Sequence, residues 1–419
     1  MKFLTKLAFK NLFRHKLRTF VSIIAIAFAV MIVVFARGYI VGLIDSSFAD
    51  HIQYSSGHIK IIDREYHQQE RLLPLNYPVD GFAVEDLDEM IASLEEIDKV
   101  VMVIPRLKYG ATVSTGSELI TMSGWGVNPD QEMEFTNIED FLVEGRMVQT
   151  GQLEVVMGTA LLNKLDRDVG DKVTILFNTA FNSLKGVTFK IVGRLETGLK
   201  MLNEIVFYLP LDQAQRILYM EDQVTELLLV TEDRNLVEQV LPDVKGLMAN
   251  RAGGDRYLTM GYKETSDLLP YLEMAKLIYN EIYIFLVLLA CIVVINTMIM
   301  IVKERTKEIG MMSAMGMESK NILQLFVIEG AIMGIVGSFI GALLGSIVNG
   351  YLSVNGIDLS SALSGFSSDI MINSIIYTSS STGNTVFAFI LGVVIVTLAC
   401  IIPARKAAKL EPTEAMREG

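Results

Sequence analysis

The chain predicts an α-helical membrane protein: four transmembrane helices in a 1+3 layout, with a large extracytoplasmic α+β domain carrying a mostly β insertion. Three observations predict this. Uncharged apolar stretches occupy 19–36, 282–302, 330–350 and 384–404 of the 419 residues. At ~1.5 Å of helical rise per residue, each covers roughly 27–32 Å, the thickness of a bilayer's hydrocarbon core. Between the first and second stretches lies a long polar segment whose pattern alternates between short strands and helices.

Taken in order, residues 1–18 carry Lys2, Lys6, Lys10, Arg14, Lys16 and Arg18 without an acid. Across 3–17, Phe3, Leu4, Leu7, Ala8, Leu12 and Leu17 fall close to one helical face. This predicts an amphipathic helix lying along the cytoplasmic membrane surface. Residues 19–44 follow as the first transmembrane helix. Ala27-Phe28-Ala29 resembles a small-x-small cleavage site. The apolar run nevertheless continues to Ala36 behind a long basic leader, so the segment is expected to remain as an anchor.

Residues 45–281 form the outer domain. Strand patterns fall at 58–62, 100–104, 109–114, 119–123, 154–157, 172–177, 187–192, 204–209 and 226–230, and helix patterns at 85–97 and 211–220. Thr115-Gly116 is placed as a hairpin turn, and about 126–210 as the mostly β insertion. Ile40, Leu43, Ile44 and Phe48 prolong the apolar stripe of the first membrane helix. Tyr271, Met274, Ile278 and Ile282 lead into the second. Neither junction is rich in Gly or Ser, so both helices are expected to enter the domain as stiff stalks. The remaining segments are 282–302, the second transmembrane helix; 303–320, a cytoplasmic helix; 321–354, the third; 355–383, a short outer loop; 384–404, the fourth; and 405–419, a cytoplasmic tail.

Orientation follows from lysine and arginine placement. Positive charge gathers in 1–18, in Lys303, Arg305, Lys307 and Lys320, and in Arg405, Lys406, Lys409 and Arg417; residues 321–404 carry none. Both termini and 303–320 are therefore expected in the cytoplasm. Residues 45–281 hold 21 Lys and Arg against 39 Asp and Glu. An outer domain that acidic argues against nucleic acid and against lying flat on anionic lipid.

Enzyme chemistry finds no support. His15, His51, His58 and His67 make no metal-ligand spacing, and no GxSxG or HExxH is present. The glycines at 193 and 198 lack the GK[ST] ending of a phosphate loop, so the chain is expected to bind no cofactor and hydrolyse no ATP itself. Cys291 and Cys400 both lie in membrane helices, which excludes a disulfide framework. Glu329 is the one acid inside an assigned membrane span, at its cytoplasmic mouth, where an interfacial role is expected. Gly330, Gly334, Ser338 and Ala342 recur every four residues, with Gly337, Gly341 and Gly345 as a second row. Small residues so spaced let helices approach closely, either within the chain or as a dimer face.

The cytoplasmic segment KERTKEIG at 303–310, SAMG at 313–316 and Glu329-Gly330 resemble the signature of FtsX/MacB-type (type VII) ABC transporter permeases. So do AFKNLFRHKLRT at 8–19 and PARKAAKLEPTEAMR at 403–417. GWGVNP at 124–129, LVEGR at 142–146 and GDKV at 170–173 are most similar to the lipoprotein-releasing LolC/LolE type. The resemblance implies a multi-pass protein of a bacterial inner membrane with its large domain periplasmic. It further implies a second permease, the same or paralogous, two ATP-binding subunits that hold the ATP, membrane lipid, and lipoprotein cargo. It assigns 303–320 as a coupling helix, with Glu304, Arg305, Lys307, Glu308, Ile309, Gly310, Ala314 and Gly316 as the ATPase-coupling residues. Glu304 and Glu308, four apart, are expected to meet ATPase arginines or Lys307. A MacB-like exporter and an FtsX-like regulator of a cell-wall hydrolase are the alternative readings. The 178–186 hairpin is short and proline-free, which makes direct docking of a soluble lipoprotein carrier doubtful.

Overall fold

The computed structural model describes residues 2–14, 16–114, 118–266, 269–363, 365 and 373–409. The expected turn at Thr115-Gly116, His15 and most of the tail motif after Lys409 lie outside these residues. The chain divides into two compact units.

One unit comprises Met1–Asp45, Tyr271–Ile357 and Ile376–Gly419. Its N-terminal helix is Lys2–Leu12, shorter than expected. The Thr19 hydroxyl donates to the Leu12 carbonyl at 3.1 Å and closes that helix end, so Leu17 belongs to the next helix. The first membrane helix runs unbroken over Lys16–His51, and the second over Leu269–Glu304. Each has 36 residues, about 54 Å of helix and well beyond the ~30 Å hydrocarbon core. The third spans Ser319–Asn355 and the fourth Thr382–Ala408. Residues 303–320 are not one helix. The chain breaks at Arg305 (φ −99°, ψ 14°), forms a separate coupling helix Thr306–Ala314, and turns at Gly316 with φ +93°.

A single apolar core joins the four membrane helices through Ile26, Val30 and Val34, Val294 and Met298, Phe326 and Met333, and Val396 and Cys400. The small-residue rows explain the tightness. Gly337 faces Ile26, whose Cβ would lie 2.8 Å from an added methyl; Gly345 faces Val34 at 2.7 Å; and Gly341 sits against the Ala27 carbonyl. Gly330 abuts Cys400 and Gly334 abuts Val396, while Ser338 is packed against Gly392. Ala342 is buried in the same core. These residues are therefore covered by the first and fourth helices of their own chain, and a dimer contact through them has no free surface to use. At the other end of the bundle Arg37 donates to Asn384 Oδ1 at 2.8 Å and Asn280 Oδ1 at 3.2 Å, and lies 4.0 Å over the Phe387 ring.

The second unit comprises Ser46–Pro270 and Asp358–Ile375. Its strands are β1 Ile59–Asp63, β2 Val100–Ser114, β3 Leu119–Val127, β4 Leu142–Gly145, β5 Glu154–Gly158, β6 Lys172–Asn178, β7 Leu184–Leu195, β8 Val206–Pro210, β9 Glu226–Thr231 and β10 Tyr257–Gly261. They form one sheet in the order β10-β1-β9-β2-β3-β8-β5-β7-β4, with β6 bridging β2 and β7. β3–β8 and β5–β7 are parallel, and the other pairs antiparallel. The expected insertion is not a separate body. Its lower limit cuts β3, its strands β6 and β8 pair directly with β2 and β3, and Tyr109 stacks edge-on against both Phe177 and Phe207. Asn373 and Ser374, from between the third and fourth membrane helices, complete the unit. Ser374 N–H donates to the Gly198 carbonyl at 2.8 Å, and Asn373 bridges Leu199.

Candidate coupling site

Arg305 is the hub of the segment between the second and third membrane helices. Leaving the helix at this residue turns its side chain inward, where it is 5% exposed. Its Nε donates to Glu308 Oε2 at 3.0 Å, its Nη1 to Glu329 Oε1 at 3.2 Å, and its guanidinium lies 5.6 Å from the Phe326 ring centroid. Glu329 is 2% exposed and also accepts from Asn11 Nδ2 at 2.7 Å. Glu308 in turn pairs with Arg14 Nη1 at 2.5 Å. Burial pushes the Glu308 carboxyl up, but Arg305 and Arg14 outweigh it and hold it below the usual carboxylate range. The N-terminal segment, the coupling helix and the third membrane helix are thus tied through five side chains, Asn11, Arg14, Arg305, Glu308 and Glu329. Between them a cleft of ≈520 Å³ is lined by Leu7, Asn11, Arg14, Glu308, Met311 and Met315 among others.

The expected coupling residues divide into two faces. Ile309 and Gly310 are buried beneath the helix with Arg305. Glu304, Lys307, Ala314 and Gly316 are exposed, and Lys307, Met311 and Ala314 fall on one outward stripe at helical spacing. Glu308 sits at the seam with its carboxylate engaged inside the chain by Arg305 and Arg14, where an ATPase arginine or Lys307 had been the expected partner. Glu329 likewise proves to be the anchor of the segment. Asn11 and Arg14 were not among the expected site residues. Their three-residue spacing on a basic helix was the available signal.

A second cluster lies in the sheet of the second unit and was also missed. Lys60 (β1), Arg106 and Lys108 (β2) and Glu226 (β9) project from neighbouring strands into one buried layer. Glu226 meets Lys60 at 2.8 Å and Lys108 at 2.7 Å, and Lys60 also reaches Glu70 at 2.5 Å. Burial would raise Glu226, yet Lys108, Lys60 and Arg106 prevail and bring it down to about 2. Trp125 covers the cations, with Lys108 Nζ 4.6 Å and Arg106 5.3 Å from its ring. Arg106 holds Glu132 with two bonds of 3.1 and 2.8 Å and donates to the carbonyls of Tyr54 (2.9 Å) and Gln53 (3.4 Å). Those carbonyls belong to the π-helical turn Ile52–Ser56 that follows the first membrane helix. Single charges inside apolar strands (IKII at 59–62, PRLK at 105–108) were the visible trace. Among the described residues, no group of three or more His, Cys, Asp and Glu side chains could hold a metal ion.

Comparison with known proteins agrees with this architecture. The FtsX-like permease C-terminal model matches residues 281–412, and the MacB-like periplasmic core domain model matches residues 19–247. Among relatives, the lipoprotein-releasing system transmembrane protein LolC of Xylella fastidiosa is 21% identical over 301 residues, 70% of this chain and 72% of its own. LolE of Haemophilus influenzae is 26% identical over 343 residues, 77% and 79% of the two chains. The macrolide export ATP-binding/permease protein MacB of Nitrobacter winogradskyi is 24% identical over 364 residues, 86% of this chain but 52% of its own. The periplasmic region of MacB from Actinobacillus actinomycetemcomitans overlays with a TM-score of 0.33 at 12% identity, covering 49% of this chain and 89% of that one. The chain belongs to the FtsX/MacB-type family of ABC transporter permeases.

Proposed function

We propose that this permease passes the motion of a separate ATP-binding dimer to its outer domain and uses it to release lipoproteins from a bacterial inner membrane. Both termini face the cytoplasm and the large domain faces the periplasm. The observation that carries the mechanical part is the double grip of Arg305 on Glu308 and Glu329. An ATPase pressing on Lys307, Met311 and Ala314 displaces a helix that cannot shift without moving the third membrane helix. Through the shared apolar core the load reaches the first membrane helix, whose unbroken backbone ends in the turn that Arg106 holds. The permease works as a pair, with the same or a paralogous chain.

Support for lipoprotein release over MacB-like export comes from the likeness to LolC and LolE along most of their own length. The match takes in 72–79% of the LolC and LolE chains but 52% of MacB, whose name includes an ATP-binding part. An FtsX-like role in regulating a cell-wall hydrolase has no specific observation in its favour. The short hairpin between β6 and β7 presents Phe181 (76% exposed) and Leu184 (71%) beside Tyr219. Photo-crosslinkers at Phe181 and Leu184, in membranes with the ATPase present, are expected to capture lipoproteins in an ATP-dependent way. Capture of a soluble adaptor or a hydrolase, with no lipoprotein adduct, would overturn the reading.

A further inference from the structure

The N-terminal helix keeps an unusual outer face. Leu4, Ala8 and Leu12 are buried, with Leu4 and Ala8 packed on Leu325 of the third membrane helix. The amphipathic pattern is therefore already satisfied within the chain. Phe9 and Phe13 nevertheless stay exposed at 56% and 58%, their ring centroids 5.0 Å apart, and Lys6, Lys10, Arg14 and Lys16 are exposed around them. Aromatic rings among basic side chains, one turn from the start of a membrane helix, match an anionic lipid surface: rings at the acyl boundary, cations at the phosphates. Arg14 belongs to this face and also to the coupling site. Its side chain is 64% exposed, and its partner Glu308 is 31% exposed. An ion pair that open is weak, and a lipid phosphate offers the same bidentate acceptor chemistry.

We propose that Arg14 is a lipid-sensitive latch: anionic headgroups beside the N-terminal helix draw it away from Glu308 and loosen the coupling helix. Glu308 then keeps Arg305, at 3.0 Å, as its remaining partner, so the helix gains freedom without detaching from Glu329. The state of the bilayer thereby sets how stiffly the segment answers the ATPase. This rests on the coupling role proposed above.

The test uses the full chain carrying a spin label at M315C, a cleft residue that is 80% exposed, while Cys291 and Cys400 remain buried. It is reconstituted in nanodiscs of phosphatidylcholine alone or with equimolar phosphatidylglycerol. Both leaflets of a disc are alike, and neither ATPase nor cargo is present, so the result is independent of membrane orientation and of the transported substrate. The anionic discs are expected to shift the label's mobile fraction about fivefold relative to the restrained fraction, the factor expected for one basic side chain at such a surface. Arg14→Gln should abolish the response and Arg14→Lys should retain it. Glu308→Gln should give the mobile state in both discs. Equal mobility in the two discs, a response that survives R14Q, or reproduction of the effect by inorganic phosphate in phosphatidylcholine discs would each overturn the proposal.

Discussion

The guanidinium of Arg106 donates to the main-chain carbonyl of Tyr54 across 2.9 Å, which fastens the π-helical turn Ile52–Ser56 to the central strand β2. The same guanidinium neutralises the buried Glu132. Arg106→Gln leaves that carboxylate unpaired, and breaking a buried pair costs about 3–5 kcal/mol. Arg106→Lys keeps the charge but loses the fork and should cost less. Hydrogen exchange should show lost protection at Gly57, whose N–H donates to the Ile52 carbonyl at 2.9 Å. Unchanged exchange there would remove the anchoring role.

The Arg305–Glu329 pair should behave as a unit. Arg305→Gln and Glu329→Gln are each expected to lower the unfolding midpoint in detergent, R305Q more strongly because it leaves a nearly fully buried carboxylate behind. The double variant should be less damaged than the sum of the two, with a coupling of roughly 1–3 kcal/mol. Additive losses would mean that the two side chains act separately.

The two faces of the coupling helix predict opposite phenotypes. Ala314→Arg, on the exposed stripe, should abolish association with the ATP-binding partner and leave thermal stability within about 0.5 kcal/mol of the parent. Ile309→Ser, on the buried face, should destabilise the chain by about 2–5 kcal/mol. Co-purification and melting curves separate the two outcomes, and a loss of stability in A314R would contradict the assignment of faces.

Glycine positions give a sharper steric test. A methyl at Gly341 meets the Ala27 carbonyl, and Gly341→Ala should destabilise the membrane unit by about 1–3 kcal/mol. Gly246 lies within the helix Val237–Asn250 with open space around it. Gly246→Ala should instead stabilise by about 0.5–1 kcal/mol, because alanine loses less backbone entropy in a helix. Melting curves of both variants check the signs.

His58 and Glu226 each contribute to the response to acid. His58 Nδ1 accepts the Thr231 N–H at 2.9 Å, and burial lowers its pKa against the opposing pull of Asp233. The unfolded chain takes up that proton at the ordinary 6.5, so stability declines as pH falls below 6.5. Glu226, held at about 2, contributes stability above its ordinary 4.5 that is lost between 4.5 and about 2. Melting midpoints should therefore fall as pH drops below 6.5 and again below 4.5, and His58→Asn should make the first fall smaller. A midpoint flat from pH 7 to 5 in the parent would refute the His58 contribution.

The membrane runs were legible because twenty apolar residues in a row have few alternatives, and the start of most strands could be read from alternation. What failed has identifiable causes. The strand patterns at 100–104 and 109–114 prove to be one strand, β2, which runs straight through Pro105. It pairs with Leu227 of β9 on one side, while the β3 ladder begins only at Arg106 and leaves the other side of Pro105 without a strand partner. Pro242 likewise lies inside the helix Val237–Asn250, which was not among the expected helices. Residues 303–320 looked like one helix because nothing in the sequence marks Arg305 as a corner. That corner exists because Glu308 and Glu329 draw the guanidinium inward. The pairings of Asn11 with Glu329 and Arg14 with Glu308 bring together parts of the chain some three hundred residues apart. The Lys60–Glu226–Lys108 layer likewise depends on strand order, which a single sequence does not reveal.

Asn373 and Ser374 reach back to Leu199 and Gly198, so the second unit is built from two stretches of chain separated by residues 271–357, which hold the second and third membrane helices. During synthesis, residues up to Pro270 emerge first and Asn373 follows roughly 5–20 s later at ordinary ribosome speeds. The unit therefore begins to fold without these partners and is completed only after the third membrane helix has been made. Insertion of the bundle and completion of the outer fold are consequently ordered in time, and a ribosome stalled within the third helix would leave Gly198 and Leu199 without their strand partner.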